Sequence, residues 1–259
     1  MKRSIFHAFL AVVAGANPTI RTLILVAILL SLATPLAAGP GKIPEKLTYD
    51  LTWTGIPVGS ATQSITADGD TLLISAVFRS NAWLSRIYPV ENRIETTLVR
   101  KADYFPGEVR HIRVHYREGR RVRDWSIAFD HSASTGRYKD HLTGEEAQAA
   151  IRPGTADVIS SFYQARYLPV APGDTVSLPV MDGREPYLLE VKVLRTEKLR
   201  TIFGKVETLV VQPLVRREGT FEGKRGVTLW ITNDQRRIPV KLLTKVTVGS
   251  VTASLAAAE

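Results

Sequence analysis

The sequence predicts a mainly β protein: one strongly curved antiparallel sheet, a barrel or half-barrel meander, with about one packed helix near residues 155–168. Three observations predict it. From Leu47 onward apolar and polar residues alternate with period two, the pattern of strands with one dry and one wet face. The alternating runs are bounded by Gly, Pro, Asn and Asp, which supply turn conformations. Residues 155–168 instead place Val158, Ile159, Phe162 and Ala165 on one helical face. The 259 residues are 44% hydrophobic and 23% charged, an ordinary globular mixture. There is no cysteine, which removes disulfides, thiolate nucleophiles, cysteine-bound metals and a lipid-modified amino-terminal cysteine.

Residues 1–38 differ from the rest. They hold Lys2, Arg3 and Arg21 with no acid, so the formal charge of +9 leaves +6 on the remainder. The run 23–33, followed by Pro35-Leu36-Ala37-Ala38, fits a secretory signal peptide cut after Ala38. The other reading is an uncleaved amino-terminal anchor, since 22–38 is nearly free of polarity; Pro35 and the short flank weigh against it. Either way residues 39–259 are expected to form a single exported, periplasmic β-rich domain. No second long apolar run follows residue 40.

Strands are expected over 47–54, 61–66, 71–79 and 93–99, with Gly55-Ile56-Pro57-Val58-Gly59 and Asp68-Gly69-Asp70 as punctuation and a helical turn at 81–87. Strand 110–117 is the clearest, with Ile112, Val114 and Tyr116 facing one way and His111, Arg113, His115 and Arg117 the other. Glu118-Gly119-Arg120 turns it back into 121–129. Further hairpins join 175–180 to 187–197 across Asp182-Gly183-Arg184, and 226–232 to 238–246 across Asn233-Asp234-Gln235. Thr155 or Asp157 can cap the helix, and Pro169 closes its far end. A meander this long twists and must hide its edges, so it closes or half closes, with the helix on the concave side or across the mouth. Arg and His on one face exclude an outer-membrane barrel, whose outward band would be apolar.

The sequence offers little catalytic chemistry. His111 and His115 on a strand stand about 13 Å apart at roughly 3.3 Å per residue and cannot share one ion. Asp130-His131-Ser132 reads as a loop end, because triad members meet through the fold rather than as neighbours. Gly-x-Ser-x-Gly, P-loop, Gly-x-Gly-x-x-Gly and His-Glu-x-x-His patterns are missing, so no catalytic residue, metal or cofactor is assigned. Two binding features remain. Arg110, Arg113, Arg117, Arg120, Arg121 and Arg123 crowd one hairpin, where they suit an anionic envelope surface or act as a solubilising face. Trp83 and Tyr88 in the non-alternating stretch, with Phe162 and Tyr163 on the helix, would contact an apolar ligand if the sheet holds a cavity. The alternative is a filled interior.

The order of Gly55-Ile56-Pro57-Val58-Gly59, Tyr88-Pro89-Val90-Glu91-Asn92-Arg93, Asp157 to Tyr163 with Arg166, Pro172-Gly173-Asp174, Arg236 to Val240 and Gly249-Ser250-Val251 resembles the bacterial exported family called domain of unknown function 3108. The resemblance covers about 47–255 and implies a Gram-negative envelope protein with no established activity. Tyr88, Asn92, Arg93, Arg166 and Arg237 are expected to form a polar patch if they converge. The leading expectation is a non-enzymatic envelope protein binding a lipid, a lipoprotein acyl chain or another amphipathic partner. Trp83, Tyr88, Phe162 and Tyr163 would be its apolar contacts, and Arg93 and Arg166 its anion contacts. The second is an interaction scaffold with a filled core docking through the basic hairpin, and the third an undetected hydrolase. Nucleic acid is not expected outside the cytoplasm.

Overall fold

The computed structural model of the chain describes residues 43–101, 104–217, 220–222 and 226–259. The leader expected over 1–38 lies outside these residues. In chain order the elements are β1 (Glu45–Trp53), β2 (Ile56–Asp68), β3 (Thr71–Ser80), α1 (Ala82–Ser85), β4 (Val90–Lys101), β5 (Tyr104–Glu118), β6 (Arg121–Asp130), β7 (Thr135–Asp140) and β8 (Glu146–Ala150). They continue with α2 (Val158–Ala165), β9 (Thr175–Met181), β10 (Pro186–Thr201), β11 (Gly204–Arg217), β12 (Thr220–Glu222), β13 (Val227–Thr232), β14 (Pro239–Lys245) and β15 (Ser250–Ala258).

All the strands belong to one antiparallel sheet in the order β8-β7-β6-β5-β4-β3-β2-β1-β15-β14-β13-β11-β10-β9, with β12 added to β11. Two meanders are therefore joined in the middle by their terminal strands: β1 pairs β15 from Leu47 opposite Ala258 to Trp53 opposite Val251. The core runs through both meanders, from Leu47 to Leu255. Residues 43–259 thus carry every described strand, all in one sheet, and the whole buried cluster.

The expected alternation sets the faces. On β3, Leu72, Ile74, Ala76 and Phe78 are buried while their neighbours are wet. On β5, Ile112, Val114 and Tyr116 point inward, and His111, His115 and Arg117 point outward. The segment expected to be punctuation at 55–59 is mostly strand. Only Thr54 and Gly55 turn, both at positive φ, and Gly59 sits where a Cβ would lie 2.1 Å from the Arg79 carbonyl oxygen. The helix is shorter than expected, with 155–157 serving as its cap and 166–168 as a closing turn. Strands β7, β8, β11, β12 and β15 have no counterpart in the sequence reading.

The two outer strands, β8 and β9, are the open edges, and the chain passes from one to the other through the crossover that contains α2. The sheet curls until these edges approach. Ala156 forms a parallel bridge with Val180, the Met181 amide donates to the Ala156 carbonyl at 2.9 Å, and Arg184 pairs with Glu145. No ladder joins β8 to β9 among the described residues. The seam is instead packed by side chains: a Cβ at Gly136 on β7 would stand 2.3 Å from Met181 Sδ and 3.2 Å from Ile151 Cγ2. Met181 is fully buried and has little room to move. Gly136→Ala is therefore expected to cost about 1–3 kcal/mol in urea unfolding. Combined with Met181→Ala it should cost less than the two separate losses added, because the shorter side chain leaves room for the new methyl.

Candidate functional site

Helix α2 lies inside the curve of the sheet, packed against β5 and β9, and all eight of its residues are buried. Asp157 starts it in extended conformation. Its Oδ1 accepts the amides of Ile159 and Ser160 at 2.7 and 3.0 Å, and its Oδ2 accepts the Ser160 hydroxyl. Burial pushes the Asp157 carboxyl above its ordinary value, and these hydrogen bonds only partly oppose that. Beneath the helix the sheet places polar side chains against it: Thr96 of β4 faces Asp157, and Gln63 of β2 faces the Tyr163 hydroxyl. Thr96 Oγ1, the Gln63 amide and Tyr163 Oη are buried without a hydrogen bond of normal geometry.

Arg166 caps the carboxyl end of the helix and is 0% exposed. Its guanidinium grips both carboxylate oxygens of Glu45 at the start of β1, with Nη2 2.6 Å from Oε2. Nε donates to the Arg237 carbonyl at 2.9 Å and Nη2 to the Arg236 carbonyl at 3.2 Å. The rings of Phe162, Tyr163 and Tyr167 lie 5.8, 5.2 and 5.7 Å from its central carbon. Burial works against the charge, but Glu45 and its hydrogen bonds outweigh it and hold the guanidinium above its ordinary value. Arg237, at φ 52°, turns the carbonyl toward Arg166 while Asp234 Oδ1 accepts the Arg236 and Arg237 amides. Tyr49 Oη donates to the Pro239 carbonyl at 3.0 Å, tying the same connection to β1.

The six expected ligand contacts do not form one site. Phe162, Tyr163 and Arg166 meet in the interior, each at most 2% exposed. Trp83 is on α1 at one end of the sheet, exposed, with Nε1 donating to the Pro57 carbonyl at 2.9 Å. Tyr88 lies nearby, its ring over Gly119. Arg93 is on the outer face, 3.3 Å from Glu95. The expected polar patch separates in the same way. Arg166 meets the Arg237 main chain, whereas Asn92 bonds Glu118 at 3.2 Å and the Arg117 amide at 3.2 Å. Sequence reasoning missed Glu45 and Tyr49; a buried-face acid at the start of an alternating strand was the available signal for Glu45.

The outer face of β4 to β8 is a ladder of paired charges rather than a basic stripe. Arg113 Nε and His115 Nδ1 share Asp124 at 2.7 and 3.5 Å, Arg110 meets Glu108 at 2.8 Å, and Lys139 meets Glu146 at 2.7 Å. Ser126 Oγ lies 2.8 Å from His141 Nε2, a nucleophile beside a base. Ser126 is central in β6, however, in register between Arg113 and Lys139 of flanking strands, so its main chain is bound in the sheet and forms no oxyanion donor. The neighbouring carboxylate, Asp124, is engaged by Arg113 and His115. Asp130-His131-Ser132 is a loop end as expected: Ser132 Oγ and the Ala133 amide donate to Asp130. Among the described residues no group of three metal-ligating side chains occurs, and no helix is long and apolar enough to cross a membrane.

This geometry defines a barrel-like antiparallel β protein with an internal helix held by a buried ion pair. The chain belongs to the family described as protein of unknown function DUF3108, whose model matches residues 48–256. Among solved structures it is similar to a beta-barrel-like protein of domain of unknown function DUF1849 from Brucella abortus, at 12% identity and TM-score 0.53, over 85% of this chain and 98% of that one. A protein provisionally assigned as a lipoprotein from Parabacteroides distasonis aligns over 86% of this chain and 98% of its own at 8% identity and TM-score 0.31. Comparison with curated proteins finds no match. The Brucella likeness supports the fold, and the motif segments 157–166 and 236–240 that carry the family resemblance are the ones that meet at Arg166.

Arg166→Met is expected to cost about 3–5 kcal/mol in chemical unfolding, because it leaves Glu45 unpaired beside the interior. Adding Glu45→Leu should recover part of that loss. At Asp157 a raised native value means that the folded state binds the proton more tightly than the unfolded chain, so the buried charge lowers stability as pH rises above 3.8. Asp157→Asn keeps the cap and removes the charge. It should be at least as stable as the wild type at neutral pH, with the difference shrinking toward and below pH 3.8, whereas Asp157→Ala loses about 1 kcal/mol of capping.

Proposed function

We propose that this protein is a non-enzymatic component of an exported cell envelope, an interaction scaffold with a filled core that works through its outer surface. The observation that carries this reading is the complete burial of α2 within the sheet, with Arg166 bound on all sides. A carrier of lipid or acyl chains needs Phe162 and Tyr163 to face an open interior; both are enclosed against Arg166 and each other, with ring centroids 5.3 Å apart. The leader pattern of residues 1–38 supports export to the periplasm. The family and the barrel-like fold are consistent with a non-enzymatic envelope protein.

Docking through the basic hairpin is narrowed by the ion pairs. Arg110 and Arg113 are neutralised by Glu108 and Asp124, so the hairpin meets an acidic partner through its tip. Native mass spectrometry of residues 39–259, purified without detergent, should give the mass of the chain alone. A lipid retained one to one would overturn the filled-core reading in favour of the carrier.

A further inference from the structure

The two ends of the sheet differ. Among the described residues nine large apolar side chains are exposed, and six of them, Ile56, Trp83, Ile87, Val122, Leu142 and Val248, lie at the end where β1 turns into β2. Following the strand order, five neighbouring connections reach this end: β14–β15, β1–β2, β3–β4, β5–β6 and β7–β8. Each one presents at least one of the six. The opposite end presents Ile202. Isolated exposed apolar residues are ordinary on a protein surface, but one on each of five adjacent connections of a single rim is not.

The rim is also built to lose little on leaving water. The Trp83 indole donates to the Pro57 carbonyl at 2.9 Å and the Trp53 indole to the Val248 carbonyl at 2.9 Å, so neither N–H lacks an acceptor in an apolar setting. Asn81 donates to the same Pro57 carbonyl at 2.8 Å and caps α1, so these connections are held together before any contact. Around them stand Arg86, Arg117, Arg120 and Arg121, exposed and without an ion pair among the described residues. Of the acids at this end, Glu91 and Glu145 pair with Arg79 and Arg184, Glu118 accepts from Asn92 and stands in register with Arg121, and Asp182 and Glu185 lie on the β9–β10 connection.

We propose that this rim docks on an anionic phospholipid bilayer, with Ile56, Trp83, Ile87 and Val248 entering the headgroup boundary and the four arginines meeting lipid phosphates. Tryptophan and aliphatic tips with flanking cations are what the interface of a charged bilayer selects. A second copy of the chain fits less well, because self-docking would bring the same unpaired arginines face to face. The proposal rests on the filled-core reading, in which function lies outside the sheet.

The test is flotation of residues 39–259 with vesicles of phosphatidylcholine containing roughly a third phosphatidylglycerol, and with phosphatidylcholine alone. The wild type should bind the anionic vesicles preferentially and lose binding as salt is raised. The combined change Ile56→Ser, Ile87→Ser and Val248→Ser alters side chains exposed in the fold and should weaken binding about tenfold or more. Arg86→Ala with Arg120→Ala and Arg121→Ala should abolish the preference for anionic vesicles, and Ile202→Ser at the other end should change nothing. Circular dichroism of each variant confirms folding. A wild type that stays off the vesicles, a serine variant that binds as well as the wild type, or a wild-type dimer that the serine variant dissolves without any vesicle binding would each overturn the proposal. A one-to-one lipid that persists in the serine variant would instead refute the filled core, which separates the two failures.

Discussion

The Arg166–Glu45 pair is the constraint on which the interior depends. The chain leaves the sheet at β8 and re-enters it at β9, the opposite edge, and the crossover carries α2 through the concavity against β5 and β9. A crossover anchored only by apolar contact could slide along the dry faces of the strands. Arg166 removes that freedom. Its planar fork satisfies Glu45 on β1 and two carbonyls before β14 at once, so one side chain fixes the helix against both meanders. Lysine, a point charge, could not bind a carboxylate bidentately there while reaching the two main-chain acceptors.

The ladder between β1 and β15 joins the first and last described strands, so the middle of the sheet is its most non-local part and its edges lie mid-chain. Edge strands normally invite other chains. Here the edges are turned toward each other and sealed by the bridge of Ala156 to Val180, by Met181 against Gly136, and by Arg184 between Glu145 and the Tyr138 ring. The seam therefore relies on side-chain packing where a closed barrel would have a ladder.

With the interior occupied, chemistry moves outward, and the outer surface is not uniform. The flank of β4 to β8 carries cations and acids paired along and across the strands, which cancel one another. At the rim Arg117 and Arg121 stand in register with Glu91 and Glu118, but Arg79 and Asn92 engage those acids, and the arginines stand among apolar tips. The same residue type thus does two jobs, separated by whether an acid is left to pair with it.

The alternation of Ile112, Val114 and Tyr116 against His111, Arg113 and His115 made β5 legible, because which face is wet is a local property. The hairpins at 118–120, 182–184 and 233–235 were legible for the same reason, as was the Asp157 cap. Strand β11 was not: Leu209, Val210 and Val211 are all buried, so the run has no period, and Pro213 argues against a strand. Strand β15 is built of Ala, Ser and Thr, which alternate weakly. Arg166 could be singled out from the sequence as an anion contact, yet its partner is 121 residues away and is an internal carboxylate. The separation of Trp83, Tyr88 and Arg93 from Phe162 and Tyr163, and the gathering of single apolar residues from five turns, were decided only in three dimensions. By itself the sequence determined the strand character, the local turns and the capped helix, since these depend on neighbours along the chain. The tertiary structure decided which strands pair and which charges meet, because both depend on how distant segments leave water together.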